Sequence, residues 1–122
     1  MRDTDVESRG SSLAGKHILL GISGGIAAVD SVRIARELRR HGATLSVCMT
    51  NSAQKIITPL ALSWATQGVI ITGWDGDMAQ LSHFGAVLVC PATRNLLACH
   101  LNGIVSSPLL MALSAARGNY SP

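Results

Sequence analysis

The stretch HILLGISGGIAAVDSVRIARELRRHGA, residues His17 to Ala43, decides the fold. Its apolar run Ile18-Leu19-Leu20-Gly21-Ile22 is too short and too continuous for an amphipathic helix. It suits a strand buried on both faces, as in a parallel sheet. From Gly25 onward Ala27, Ala28, Ile34, Ala35 and Leu38 recur at helical spacing. Arg33, Arg36, Glu37, Arg39 and Arg40 fall mostly on the other side, and Gly42 is a natural C-terminal stop. Strand, glycine-rich turn and helix is where an α/β protein offers backbone N–H groups to a phosphate. The loop Ser23-Gly24-Gly25 matches neither the dinucleotide fingerprint G-x-G-x-x-G nor the Gly-Lys-Ser/Thr of a P-loop. The stretch therefore points to an anionic ligand or to a glycine turn serving tight strand–helix packing, and by itself it does not choose.

With 122 residues the chain is one domain, long enough for a real core but short for a complete doubly wound sheet. Aromatic residues are scarce (Trp64, Trp74, Phe84, Tyr120), while Ala, Ile, Leu, Val and Gly abound, a mix that favours α/β over a sandwich or barrel. The formal charge of +3 is mild. Its basic residues cluster at Arg33 to Arg40 without interleaved aromatics, which reads as a solvated helix face and not as a nucleic-acid surface. Cys48, Cys90 and Cys99 are odd in number and show no C-x-x-C spacing, so neither a disulfide framework nor a metal site is expected. A reducing cytoplasm is the simplest setting. No segment approaches the about 20 apolar residues of a membrane span. Residues 1–15 are polar, with three acidic residues, and read as a disordered leader ahead of a domain over 16–122.

Further along, Ala43 to Thr50 reads as a second strand, followed by Asn51-Ser52-Ala53, suited to capping a brief helical turn from Gln54 to Ile57. Pro59 opens a helix to Thr66 that Gly68 closes. Val69 to Thr72 reads as a third strand, Gly73 to Asp77 as a loop and Ala86 to Cys90 as a fourth strand. Helices are expected over Arg94 to Leu101 and Pro108 to Ala116. Short strands separated by helices predict right-handed βαβ crossovers and a parallel sheet. Ligands of such sheets sit beyond the carboxyl ends of the strands. Three loops share that edge: Ser23-Gly24-Gly25, Thr50-Asn51-Ser52 and Pro91-Ala92-Thr93-Arg94-Asn95.

Taken in order, these loops resemble the homo-oligomeric flavin-containing cysteine decarboxylases. Gly21-Ile22-Ser23-Gly24-Gly25-Ile26-Ala27-Ala28 is similar to the first-strand signature of that family. Met49-Thr50, Ala53-Gln54-Lys55 and Ile57-Thr58-Pro59-Leu60 are similar to its second stretch. Pro91-Ala92-Thr93-Arg94-Asn95 resembles its Pro-Ala-Ser/Thr-Ala-Asn loop, and Asn102-Gly103-Ile104 the glycine turn that follows. The resemblance implies an α/β fold, a Rossmann-like (flavodoxin-like) parallel sheet with helices on both faces. It implies FMN as cofactor, its phosphate held by Ser23, Gly24 and Gly25 with Thr50 or Ser52, and its ring lined by Pro91, Ala92, Thr93 and Asn95. It also implies a homo-oligomer built of trimers. The family chemistry is oxidation of a substrate cysteine thiol to a thioaldehyde, loss of the adjacent carboxylate as CO₂, and formation of an enethiol.

The chain departs from the family pattern in places. Gln80 stands where the family base, a histidine, is expected, and an amide accepts no proton at neutral pH. Among His17, His41, His83 and His100, His83 is the candidate base, with a surface or packing histidine as the alternative. Val105-Ser106-Ser107-Pro108 replaces the usual acidic or amide residues, and the family's Pro-x-Met-Asn-x-x-Met-Trp substrate clamp has no counterpart. Read as a standalone chain without a synthetase half, the sequence directs the expectation to the C-terminal cysteine of a ribosomal peptide precursor. The alternatives are phosphopantothenoylcysteine decarboxylation in coenzyme A biosynthesis and a non-catalytic FMN-binding regulatory relative. A prenyl-transferring relative is a further possibility that no feature of the chain favours.

Overall fold

Two strands made almost wholly of buried residues lie at the centre of the molecule, β1 (His17–Ile22) and β2 (Thr44–Met49). The structure, a computed structural model, describes residues 4–74, 84–119 and 121–122. β3 (Ile70–Ile71) and β4 (Ala86–Val89) flank the central pair, in the order β3-β2-β1-β4. Every pairing is parallel, with His17 opposite Thr44, Ile18 opposite Ala86, and Val47 opposite Ile70. The chain leaves β1 towards β2 on one side and later enters β4 on the other. The topological switch of the sheet therefore lies between β1 and β4, where crevices open in folds of this type.

Side chains alternate across the sheet, and each face has its own core. Ile18, Leu20 and Ile22 of β1 join Leu45, Val47 and Met49 of β2 under α1 (Ser31–Arg40) and α2 (Pro59–Thr66), which contribute Ala35, Leu62 and Ala65. On the opposite face Leu19 and Cys48 pack with Leu96 of α3 (Arg94–Leu101) and with Leu109, Leu110 and Ala112 of α4 (Pro108–Gly118). Gly21 keeps this second core closed, because a Cβ there would lie 2.5 Å from a Leu109 methyl carbon. The expected parallel α/β sheet with helices on both faces is what forms.

Four details differ from the sequence reading. The helix expected from Gly25 begins as a 3₁₀ turn, Ile26–Asp30, and becomes α-helical only at Ser31. Buried Ser31 accounts for this: its backbone N–H and its hydroxyl both donate to the Ala28 carbonyl, which holds the turn in i+3 geometry. At the end of α2 the left-handed residue is Gln67 (φ 54°), not Gly68. Gly68 answers a different demand, since a Cβ there would sit 2.0 Å from the Leu45 carbonyl oxygen. β3 spans two residues where four are expected, although the Val69 carbonyl still accepts from the Val47 N–H at 2.9 Å.

The fourth difference is the N-terminal stretch. Residues 4–15, expected as part of a disordered leader, run against α1. The Arg9 N–H donates to the Arg40 carbonyl (2.8 Å), the Leu13 N–H donates to the His41 carbonyl (2.9 Å), and the Leu13 side chain packs on the first core. Arg36 and Arg39 donate to the Asp5 and Thr4 carbonyls at 3.0 and 2.8 Å. Arg36 also lies over the Trp64 ring, 4.9 Å from its centroid. The arginines of α1 therefore bind chain as well as solvent. Among the described residues no helix is long and apolar enough to cross a membrane.

Candidate active site

The three loops at the carboxyl edge meet, and glycines decide how closely. Gly24 presses on the loop after β2: a Cβ on it would stand 2.4 Å from the Cβ of Ser52. Gly25 faces the loop after β4, where a Cβ would be 3.3 Å from Pro91. Ser23 is buried between these contacts, 2% exposed. Its N–H donates to the Pro91 carbonyl at 3.2 Å, its hydroxyl donates to the same carbonyl, and its Oγ accepts the Thr93 N–H at 2.9 Å. The loop after β1 is thus the central member of the site, held by the other two.

Beside it opens a cavity of about 390 Å³, a size within the usual range of small-molecule pockets. Six of the residues expected to bind cofactor line it: Ser23, Gly24, Thr50, Ser52, Thr93 and Asn95. Gly25, Pro91 and Ala92 do not; Gly25 and Pro91 pack on each other, and Ala92 is exposed. Asn51, a member of the expected loop Thr50-Asn51-Ser52, and Leu96, Cys99, Ser106, Ser107 and Leu110, to which the sequence assigns no ligand role, complete the wall. Of these, Ser107-Pro108 carries a legible helix-start signal, but nothing local tells that the start opens onto this cavity.

Three hydroxyls of the wall share one arrangement. Thr50 Oγ1 accepts from the Ala53 N–H (3.2 Å), Thr93 Oγ1 from the Leu96 N–H (3.2 Å) and Ser107 Oγ from the Leu110 N–H (3.3 Å). Each is a capping acceptor, which leaves the hydroxyl proton to give to a ligand. Thr93 and Ser107 cap α3 and α4, so two helix N-termini with partial positive charge face the same space. Among the described residues no carboxylate lines the cavity. A wall of neutral hydroxyl donors at two helix starts fits an oxygen-rich anion such as a terminal phosphate.

Three of the four histidines lie within the described residues, and none of the three lines the cavity. His17 Nε2 lies 2.9 Å from Ser46 Oγ at the start of β1, and His41 lies 3.3 Å from Glu37 beyond α1; neither lines the cavity. His100 borders a separate space of about 50 Å³ with Arg117. His83 and Gln80, the candidate base and the residue in the expected place of the family histidine, lie outside the described residues. The three cysteines are free; Cys48 is fully buried, and burial pushes its thiol up to about 12.

A family model described as Flavoprotein matches residues 6–122. The chain is 38% identical over 116 residues to the coenzyme A biosynthesis bifunctional protein CoaBC of Thermococcus kodakarensis, covering 89% of this chain and 29% of that protein. It is 40% identical over 116 residues to CoaBC of Vibrio cholerae, covering 85% of this chain and again 29% of the relative. It therefore spans under a third of the length of these relatives. Among solved structures it is similar to TvaF, an FMN-dependent cysteine decarboxylase from thioviridamide biosynthesis. That match has 26% identity and a TM-score of 0.79, covering 84% of this chain and 68% of that one.

Proposed function

Because the chain belongs to the flavoprotein family, we propose that the cavity holds FMN and that the protein decarboxylates a cysteine-derived thiol. The observation that carries this reading is the wall between the loops after β1, β2 and β4, rich in hydroxyls and free of carboxylates among the described residues. Thr50 and Ser52 would donate to the flavin phosphate, together with the N–H group of Gly24. Asn95 and Leu96 form the wall on the α3 side. Bound flavin supplies the two-electron oxidation of the substrate thiol that precedes loss of CO₂. The chain's own part is to bind and orient the reactants and to take a proton, a role we assign to His83.

For the substrate, the relatives favour phosphopantothenoylcysteine over a peptide C-terminal cysteine. Coenzyme A proteins match at 38% and 40% identity, whereas the cysteine decarboxylase from thioviridamide biosynthesis matches at 26%. The order of preference expected from the sequence is thereby reversed. Purified protein is expected to be yellow, to release FMN on heating as identified by mass, and to form CO₂ from phosphopantothenoylcysteine faster than from a cysteine-terminated peptide. Release of FAD or no flavin overturns the cofactor assignment. The opposite substrate preference restores the peptide reading. One sequence feature favours a second reading, a non-catalytic FMN-binding protein: Gln80 stands in the expected place of the family base. Bound FMN without CO₂ release from either substrate would establish that reading.

The homo-oligomer built of trimers belongs to the same proposal. Ile26 and Leu60 are 81% and 78% exposed, and an apolar cleft runs between Val32, Leu60 and Trp64. So much apolar surface needs cover. Light scattering that finds a stable, flavin-loaded monomer overturns this part alone.

A further inference from the structure

We propose that Ser23 is a positioning residue, a latch between the loops after β1 and β4, and not a donor to the ligand anion. This rests on the flavin reading of the same cavity. A serine has two donors, its backbone N–H and one hydroxyl proton. In Ser23 both are committed to the Pro91 carbonyl. Its Oγ in turn accepts the N–H of Thr93, and the whole residue is 2% exposed. An anion in the cavity takes a proton from Ser23 only by breaking one of the two bonds that this residue gives to the Pro91 carbonyl, which is unfavourable. Thr50, Thr93 and Ser107 are the opposite case, with oxygens engaged and protons free.

The latch acts through Thr93. That residue is the N-cap of α3, gripped by Ser23 at its N–H and gripping the Leu96 N–H with its own hydroxyl. Asn95, Leu96 and Cys99 of the same helix line the cavity. Ser23 thus sets where one whole wall stands, through its bonds to Pro91 and Thr93. Gly25 supports the same junction, its missing side chain letting Pro91 come close.

Two flavins that differ only in the phosphate separate a latch from a phosphate ligand. FMN and riboflavin affinities are measured on apoprotein of the wild type, Ser23→Ala and Ser52→Ala. Loss of two neutral hydrogen bonds by Ser23→Ala is expected to weaken both flavins about tenfold or more, keeping the FMN-to-riboflavin ratio within about twofold of wild type. Ser52→Ala is expected to lower that ratio by weakening FMN alone. At saturation, the visible circular dichroism of bound flavin changes in Ser23→Ala and stays as in wild type in Ser52→Ala, because only the former frees a wall. If Ser23→Ala does not accumulate as folded protein, Ser23→Cys, with similar volume and weaker hydrogen bonding, is read in the same way. A ratio that falls in the Ser23 variant, or affinities that do not change, overturns the latch while leaving the flavin reading intact. Wild-type protein that binds neither flavin overturns both.

Discussion

Gly24→Ala tests the packing of the site most directly. The added Cβ would stand 2.4 Å from the Cβ of Ser52, 3.4 Å from its carbonyl carbon and 3.5 Å from its Cα. Carbon atoms settle at about 3.5–4.0 Å, so one contact is short by roughly 1 Å. No rotamer relieves it, because a Cβ moves only with its backbone. Ser52 must retreat, yet the next residue, Ala53, is fully buried, and its N–H is bonded to Thr50 Oγ1 at 3.2 Å. Overpacking of this kind typically costs about 1–3 kcal/mol. At roughly 3–6 °C per kcal/mol for a chain of this size, a cost of about 2 kcal/mol lowers the melting temperature by some 6–12 °C. The same retreat parts Gly24 from Ser52, and FMN affinity is expected to fall at least about tenfold. Thermal melts followed by far-ultraviolet circular dichroism, with titration of FMN into apoprotein, measure both effects. Gly73→Ala is the control, since a Cβ there meets nothing within 4 Å among the described residues. If Gly24→Ala melts and binds FMN like wild type, the close approach of the two loops is not a constraint on this site.

Two further outcomes follow from buried and candidate groups. Cys48 stays protonated in the folded chain up to about pH 12, while an unfolded cysteine loses its proton near 9, so the folded state holds more protons between these values. Stability is then lost as pH rises through that window, by up to about 1.4 kcal/mol per unit. Cys48→Ala is less stable than wild type at pH 8, and the gap is expected to narrow at pH 10.5 in chemical denaturation; a constant gap refutes the shift. For catalysis, His83→Asn is expected to keep FMN bound and to lower CO₂ formation by about 100- to 10,000-fold, the usual contribution of a general base. Unchanged turnover in that variant removes His83 from the reaction.

Local pattern revealed the elements because each strand and helix carries its own period. The apolar runs Ile18–Ile22 and Leu45–Met49 are buried almost without exception, and such runs have few other uses in a chain this short. The helix starts at Arg94 and Pro108 were legible for the same reason, and Thr93 and Ser107 cap them through hydrogen bonds spanning three residues. The errors share a cause at longer range. Gly68 resembles a helix stop in sequence, but its demand comes from the Leu45 carbonyl in another strand. The polar leader resembles disorder, but its carbonyls meet arginines more than 30 positions away on α1. Ser23 shows the same limit of local pattern. A serine before two glycines at a strand end fits an anion ligand and a loop latch equally well in sequence. The two roles differ only in where one hydroxyl proton points, and its acceptor lies 68 positions downstream. The site was legible as a place, because three loops at one sheet edge must converge. The division of labour inside it was not, because a hydroxyl's role depends on which of its bonds tertiary contact has already taken.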